Sequence, residues 1–226
     1  SDLAGINSVF YVSPNTAHEW QSWRRSLREF AGLLFADASS TAAAPAAAPD
    51  ARRGGGRGGF GGPIELGPDD KPAFDDPPAG FNVRRDNIQH GEMTTVQYDS
   101  KTLGARRQMV VYTPAGYSAD RKYPVLYLLH GIGGNDREWQ RACHADHVLD
   151  NLIAEGTIQP MIVVFPNGNA SVTVDAGGAD RTAGGGARGG AGGRGDFGGW
   201  GMPFENDLIK DIIPYIVENG KAVAHR

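Results

Sequence analysis

The chain has 226 residues, enough for one large domain or two small ones, but its 33 glycines and 14 prolines exclude uniform packing. Of the glycines, 8 fall in residues 54–67 and 13 in residues 177–201. A formal charge of −4 gives no general reason to expect a nucleic-acid partner.

Cysteine content and hydropathy narrow the protein class further. The single cysteine, Cys143, excludes an intrachain disulfide and a cysteine-based zinc site, but leaves the redox compartment open. No apolar run approaches the roughly 20 residues that span a bilayer, and the opening residues do not form a signal peptide. We therefore expect no membrane-spanning segment.

The first 35 residues predict a strand, a turn and a helix. The β-branched and aromatic run 6–12 ends at a Ser-Pro-Asn turn. From Glu19 to Phe35, large apolar residues recur every three or four positions, which is typical of an amphipathic helix. This stripe consists of Trp20, Trp23, Leu27, Phe30 and Leu34. His18 lies at the corner between strand and helix.

Residues 36–80 predict a linker. They contain an Ala/Pro tract, an Arg-Gly-Gly segment and an acidic, proline-rich run, none with the period of a strand or helix. Such a composition buries too little apolar surface to offset the entropy of ordering it. A nucleic-acid-binding segment is the alternative, but the Arg-Gly-Gly part offers only three arginines and one phenylalanine.

Residues 81–226 predict alternating strands and helices. Strands are expected at 94–98, 106–113, 123–129 and 161–165, and the third, YPVLYLL, is apolar enough to be buried on both faces of a sheet. A helix over 137–154 lies between the last two strands, so these two should run parallel.

After the fourth strand, a glycine-dense insertion at 177–201 precedes a further helix. That helix is marked by Phe204, Leu208, Ile212 and Ile216, and Pro214 should kink it. The insertion is expected to be poorly ordered. The sequence ends where another strand is due, so the sheet is expected to be incomplete.

The strongest motif is His-Gly-Ile-Gly-Gly directly after the third strand. Glycines there let the backbone turn sharply and bring N–H groups close to a ligand oxygen, as an oxyanion hole requires. Ile132 N–H is the best donor candidate, with Gly131 and Gly133 shaping the turn. A plain tight turn and a phosphate loop are the alternatives, although no Gly-Lys-Ser/Thr is present.

Three groups of histidines have different expected roles. The corner position of His18 suits a general base in acyl transfer, although a lone histidine at a helix start is more often a cap or surface residue. His130 is interpreted as structural, orienting the loop. His144 and His147 could form a metal pair, but no third ligand of matching spacing accompanies them, so no metal site is predicted.

Several segments together resemble carbohydrate esterase family 1, the putative-esterase group that contains bacterial feruloyl and acetylxylan esterases. YPVLYLLHGIGGNDREW, MIVVFPNGNA and FENDLIKDIIPYI resemble the first half of that α/β-hydrolase domain, over about residues 81–226. GINSVFYVSPNTAHEWQSWRRSLREFAGLLF resembles its last strand, histidine loop and final helix. The resemblance implies an α/β fold and makes His18 the catalytic base.

The order of these parts is reversed relative to one intact domain. Residues 1–35 resemble the family's C-terminal end, and 81–226 resemble its N-terminal half with the insertion at 177–201. Either the sequence spans the junction of two tandem esterase domains, or it belongs to a circularly permuted domain. We favour the tandem arrangement because a 45-residue low-complexity linker is a normal interdomain spacer.

None of the ten serines lies in the Gly-x-Ser-x-Gly context of an α/β-hydrolase nucleophile. The nucleophile and the triad carboxylate are therefore expected to be missing from these 226 residues. Glu205 and Asp207 are not substitutes, since they precede the elbow position and resemble surface or helix-start residues. The remainder of the polypeptide is expected to be needed to complete the fold.

The resemblance implies a serine carboxylesterase acting on acyl esters of plant cell-wall polysaccharide, with no cofactor, and a secreted or periplasmic location. Trp200 could stack against substrate, or its insertion could make no contact with it. A non-catalytic carbohydrate- or RNA-binding module is the alternative from another class. A siderophore-ester or formylglutathione-type hydrolase is the alternative within the fold, which by itself does not select the substrate.

Overall fold

The structure is a computed structural model that describes residues 13, 20–34, 76–131, 134–174, 180–182 and 201–220, with the backbone alone for 180–182 and 220. The predicted strand over 6–12 and nearly all of the predicted linker fall outside these ranges. None of the helices in the described part of the chain is long and apolar enough to cross a membrane.

A four-stranded mixed sheet forms the centre of the molecule. Strands β1 (Glu92–Ser100) and β2 (Ala105–Thr113) form an antiparallel hairpin. Strand β4 (Ile162–Pro166) is antiparallel to β2 and parallel to β3 (Val125–Tyr127), which makes the order β1-β2-β4-β3. All five residues of β4 are buried, as its continuous apolar sequence indicates. The predicted parallel pairing of the last two strands is confirmed.

The prediction for β3 is wrong in length and burial. Instead of residues 123–129 buried on both faces, β3 has three half-buried residues, and Leu129 is 39% exposed. Leu126 packs against the core on one face of the sheet, and Val125 and Tyr127 pack against the core on the other. Among the described strands, β3 has β4 as its single neighbour.

The helix predicted over 137–154 is two helices in the structure. Helix α2 (Glu138–Arg141) and helix α3 (Ala145–Ala154) are separated at His144, whose φ of 50° lies in the left-handed region. A left-handed residue interrupts the i to i−4 ladder, so one continuous helix is impossible here. The predicted stop at Gly156 is confirmed, and its φ is 69°.

The C-terminal helix contains the irregularity expected from Pro214. Helix α4 (Met202–Asp207) continues into a π-helical turn (Leu208–Ile212) and then into helix α5 (Ile213–Gly220). Proline has no N–H to donate, and a widened turn directly before it accommodates that loss. The predicted apolar stripe packs on the sheet, with Phe204, Ile212 and Ile216 buried.

A short hairpin was not predicted. Strand β5 (Val172–Val174) pairs antiparallel with β6 (Asp180–Thr182). The second of these strands lies within the segment predicted to be a glycine-dense, poorly ordered insertion. The remainder of that insertion, up to residue 200, falls outside the described residues.

Helix α1 (Trp20–Leu33) confirms the amphipathic helix predicted near the start of the chain. Leu27 and Ala31 are its buried residues, at 3% and 0% exposure, whereas Trp20 is 41% and Phe30 is 48% exposed. The buried line is therefore narrower than the predicted stripe. It is centred on the side that faces α3, and the spacing of four places Ala31 directly one turn after Leu27.

The two faces of the sheet are covered by different helices. On one face, Leu27 and Ala31 of α1 share a core cluster with Val148, Leu149 and Leu152 of α3. On the other face, the 202–220 helices pack against Met109, Ile162 and Val164. Helices on both faces of a mixed sheet place the molecule in the α/β class.

Asp207 contradicts the prediction of a surface or helix-start residue. Its side chain is fully buried, accepts a 2.7 Å hydrogen bond from the Tyr98 hydroxyl, and lies 3.6 Å from Arg107 Nε. The helix presents its apolar face to the sheet, and Asp207 lies on that face, between the buried Phe204 and Ile212. Glu205, two residues earlier, is exposed as expected.

Candidate active site at the end of strand β3

Strands β3 and β4 are parallel, so their carboxyl ends meet at one edge of the sheet. Ligands of open α/β sheets bind at that edge. The loop after β3 contains His130 and Gly131, and the loop after β4 contains Asn167 and Gly168. Of the predicted site residues, the structure describes Gly131, whereas His18, Ile132, Gly133 and Trp200 lie outside the described residues.

His130 joins the two loops. The Gly168 N–H donates to His130 Nε2 at 2.8 Å, and His130 Nδ1 lies 2.8 Å from the Gly131 carbonyl oxygen. An Nε2 that accepts a hydrogen bond leaves the proton on Nδ1, which then donates to Gly131. The imidazole is 5% exposed and both ring nitrogens are engaged. This geometry agrees with the structural, loop-orienting role predicted for His130.

Glu138, at the start of α2, fixes the peptide that follows His130. The Gly131 N–H donates to Glu138 Oε2 at 2.7 Å, and the Gly134 N–H donates to the Gly131 carbonyl oxygen at 3.0 Å. Because the Gly131 N–H already binds a carboxylate, it is not available to an oxyanion. Gly131 therefore forms part of the turn, and its N–H donates to Glu138 and not to an oxyanion.

Close packing around this turn explains its glycines. A Cβ on Gly131 would lie 2.9 Å from Trp23 Cη2, and a Cβ on Gly134 would overlap the carboxylate of Glu138. Neither position accepts a side chain unless the neighbouring group moves. The Trp23 ring requires glycine at position 131, whereas a side chain at position 134 would displace the Glu138 carboxylate that holds the turn.

Two tryptophans support the same loop. Trp139 Nε1 donates to the Leu129 carbonyl oxygen at 2.8 Å, and its ring lies 5.2 Å from the ring of Trp23. Sequence reasoning missed Glu138, Trp139 and Trp23 as loop residues. The signal that could have found the first two is the Glu-Trp pair that begins a helix seven residues after Gly131.

Arg107 of β2 fixes the loop after β4. Its Nη2 donates to the Asn167 carbonyl oxygen at 2.5 Å and to the Asn169 carbonyl oxygen at 3.2 Å. Arg107 is 1% exposed, and the Asp207 carboxylate beside it balances its charge. Both loops at the end of the parallel strands are therefore held by buried side chains. This is the kind of preorganised backbone that an oxyanion site requires.

His144 and His147 lie side by side on the surface of α3. Their rings stack 5.4 Å apart at an interplanar angle of 3°. Burial, together with the nearby charge of Arg24, lowers the pKa of His144 below its ordinary value. Within the described ranges, no group of three His, Cys, Asp or Glu side chains could hold a metal ion.

The reactivity of Cys143, which lies between α2 and α3, tests whether the protein interior is closed to solvent at this point. It is fully buried, and burial raises the pKa of its thiol from about 9 to about 12. At pH 8, such a shift alone lowers the thiolate fraction about 1000-fold, and the thiolate is the reactive form. We expect labelling of the native chain by a thiol reagent at least about 1000-fold slower than labelling in urea. Comparable rates in the two states would contradict the buried position.

Comparisons with known proteins identify the family. Residues 100–221, more than half of the chain, match the esterase family described as "Putative esterase". An endo-1,4-beta-xylanase/feruloyl esterase of Xylanibacter ruminicola is 40% identical over 93 residues, which cover 39% of this chain and 13% of that protein. Endo-1,4-beta-xylanase Y of Acetivibrio thermocellus is 34% identical over 68 residues, 30% of this chain and 6% of that protein.

A solved structure shares the fold. A ferulic acid esterase of carbohydrate esterase family 1 from Anaeromyces mucronatus, in complex with ferulic acid, has a TM-score of 0.51 and 26% identity. The alignment covers 65% of this chain and 49% of that esterase, so the chain spans about half of its length. The resemblance noted in the sequence and the partial α/β-hydrolase fold are thereby confirmed. The chain belongs to the "Putative esterase" family.

Proposed function

We propose that the protein is a serine carboxylesterase that hydrolyses feruloyl esters of plant cell-wall polysaccharide, with acetyl esters as the second acyl class. The observation that carries this proposal is the Gly131 turn. It follows a strand parallel to β4 and is held by Glu138 and by His130 at the edge of the sheet where substrates bind. The feruloyl esterase relatives support the choice of acyl group.

The proposed reaction has two acyl-transfer steps. A serine hydroxyl attacks the ester carbonyl while His18 takes its proton, and His18 then gives that proton to the departing sugar oxygen. Water attacks the acyl-enzyme with His18 again as base, which releases the carboxylic acid and restores the serine. Ile132 N–H stabilises the oxyanion in both steps, together with the amide that follows the serine.

The 226 residues supply part of this machinery. They include the proposed base and one oxyanion donor, but no serine in a Gly-x-Ser-x-Gly sequence. The proposal therefore assigns the nucleophile and the triad carboxylate to polypeptide beyond these residues. Because the proposed substrate is an extracellular polymer, we also propose that the protein is secreted or periplasmic, which fractionation of producing cells would test.

We expect no serine-dependent turnover of ethyl ferulate by the 226-residue chain alone. A longer polypeptide that adds the nucleophile elbow should hydrolyse ethyl ferulate, and a serine-directed phosphonate should stop it. His18→Ala should lower kcat at least about 10⁴-fold, because the triad acts as a unit. Asn219→Ala, an exposed change at the end of α5, serves as the control and should leave kcat unchanged.

Two results would contradict the proposal. One is ferulate hydrolysis by the 226-residue chain that the phosphonate abolishes. The other is undiminished hydrolysis by the His18→Ala variant of the longer polypeptide. Parallel assays on ethyl ferulate and acetylated xylan would separate the two acyl classes.

A further inference from the structure

Helix α1 packs on the domain half from which it is separated in sequence. Leu27 and Ala31 are buried in the same core cluster as Leu149 and Leu152 of α3. Leu27 and Ala31 form, with the leucines of α3, a continuous apolar layer between the two helices. Such a layer is the usual content of a domain core, since helices within one domain bury their apolar stripes against each other.

Polar contacts give the same packing a defined register. Arg24 donates from Nε at 3.1 Å and from Nη2 at 2.5 Å to the carbonyl oxygen of Ala142, the residue that caps α2. One turn further along, Arg28 lies 3.8 Å from Glu155, just after the end of α3. A cation at helix C-terminal carbonyls is favourable, so Arg24 satisfies an acceptor that α2 leaves open.

Trp23 connects α1 to the candidate site itself. Its Cη2 atom lies against Gly131, close enough that a Cβ there would be only 2.9 Å away, and its ring packs on Trp139. Trp139 in turn holds the carbonyl of Leu129. Trp23 thus forms one wall of the turn that bears the proposed oxyanion donor.

We propose that α1 is an integral part of the same esterase domain as residues 76–220, and that Trp23 is a positioning residue for the Gly131 turn. The positioning role of Trp23 rests on the proposed function, whereas the docking of α1 does not.

The linker favours docking within one chain over docking between chains. Residues 35–75, a stretch of 41, join the described end of α1 to the domain. Because both parts belong to one chain, their docking is intramolecular and is favoured over docking of a second copy at micromolar concentration.

Cleavage of the linker tests the proposal without any catalytic assay. A protease recognition sequence is inserted between Ala48 and Pro49 of the full chain, and the folded protein is cleaved and separated by size exclusion at about 5 µM. The two fragments should elute together as one complex of about 24 kDa, the mass of the uncleaved chain. Separate elution would overturn the proposal, and a complex of twice that mass would show a second copy as the partner, which also overturns it.

Matched variants identify the interface. Leu27→Asp places a charge at a position that is 3% exposed and should weaken association of the fragments at least about 100-fold. Phe30→Asp makes the same kind of change at a position that is 48% exposed, and should alter association less than about threefold. Equal effects of the two changes would overturn the proposed docking face.

If the Leu27→Asp chain fails to fold, a second measurement tests the same docking face. Arg24→Ala removes the hydrogen bonds to Ala142, next to the buried Cys143, without opening the core. It should accelerate amide hydrogen exchange at Cys143, whose N–H donates to the Trp139 carbonyl oxygen, about threefold or more in the uncleaved chain, while Phe30→Asp should not. An unchanged exchange rate for Arg24→Ala would count against the docking. Neither readout involves ester hydrolysis, so failure of the proposed function would leave this result unaffected.

Discussion

We expect Asp207→Ala to lower the free energy of unfolding by about 3–5 kcal/mol, because it leaves the Arg107 guanidinium buried without its counter-charge. Arg107 and Asp207 are 1% and 0% exposed, and their closest charged atoms are 3.6 Å apart. The same change removes the acceptor for the Tyr98 hydroxyl. Since domains are stable by only about 5–15 kcal/mol, a large share of the folding free energy is lost.

Urea unfolding of the 226-residue chain measures this effect. Glu205→Ala is the matched control, since it removes an exposed carboxylate from the same helix and should change stability by less than about 0.5 kcal/mol. A double-mutant cycle with Arg107→Met separates the ion pair from the hydrogen bonds that Arg107 donates to the carbonyl oxygens of Asn167 and Asn169. If Asp207→Ala were as stable as Glu205→Ala, the buried pair would be irrelevant to the fold.

We expect Glu138→Ala to lower kcat of the proposed esterase by about 10²-fold with little change in KM. The carboxylate holds the Gly131 N–H at 2.7 Å and thereby the turn before the proposed donor Ile132. One oxyanion donor contributes about 3–4 kcal/mol to the transition state, and a loosened turn forfeits a large part of that. The ground state gains little from the same donor, so substrate binding should be nearly unaffected.

Three readouts distinguish this positioning role from a general loss of stability. Glu138→Gln retains an oxygen that can accept from Gly131 and should recover at least about tenfold in kcat over the alanine variant. Arg141→Ala, an exposed change on the same helix, should leave kcat unaltered. Amide exchange at Gly131 should accelerate in Glu138→Ala alone. A fall in the melting temperature of Glu138→Ala with unchanged kcat would refute the positioning role.

Several elements of the fold were predictable because their signals are local. Strands β1, β2 and β4 follow from apolar and β-branched residues within runs of 5 to 9 positions, and helix α1 follows from the helical spacing of apolar residues over 14 positions. The break at His144 was not predictable, because histidine adopts a left-handed φ too rarely for its presence to mark the end of a helix. The three half-buried residues of β3 were also missed, since an apolar run does not reveal how many neighbours a strand has.

The candidate site was likewise only partly predictable from the sequence. The His-Gly-Ile-Gly-Gly motif indicated which turn to examine and that His130 orients it. Two of the contacts that hold the loops of the site were not visible in that motif, because their partners are distant in the chain: His130 binds Gly168, 38 positions away, and Arg107 binds Asn167, 60 positions away. The surface location expected for Asp207 was wrong for the same reason, since its partners Tyr98 and Arg107 lie on other elements.

The sequence by itself determined the family, the α/β class and the turn that carries the proposed chemistry. Each of these depends on residue types and on the short spacings between them, and both can be read directly from the amino-acid sequence. The tertiary structure decided which side chains brace that turn and where α1 packs. Hydrogen bonds, ion pairs and ring contacts join residues 100 or more positions apart, as between Arg24 and Ala142, Arg107 and Asp207, and Trp23 and Trp139. Such contacts depend on the path of the folded chain, which no local pattern encodes.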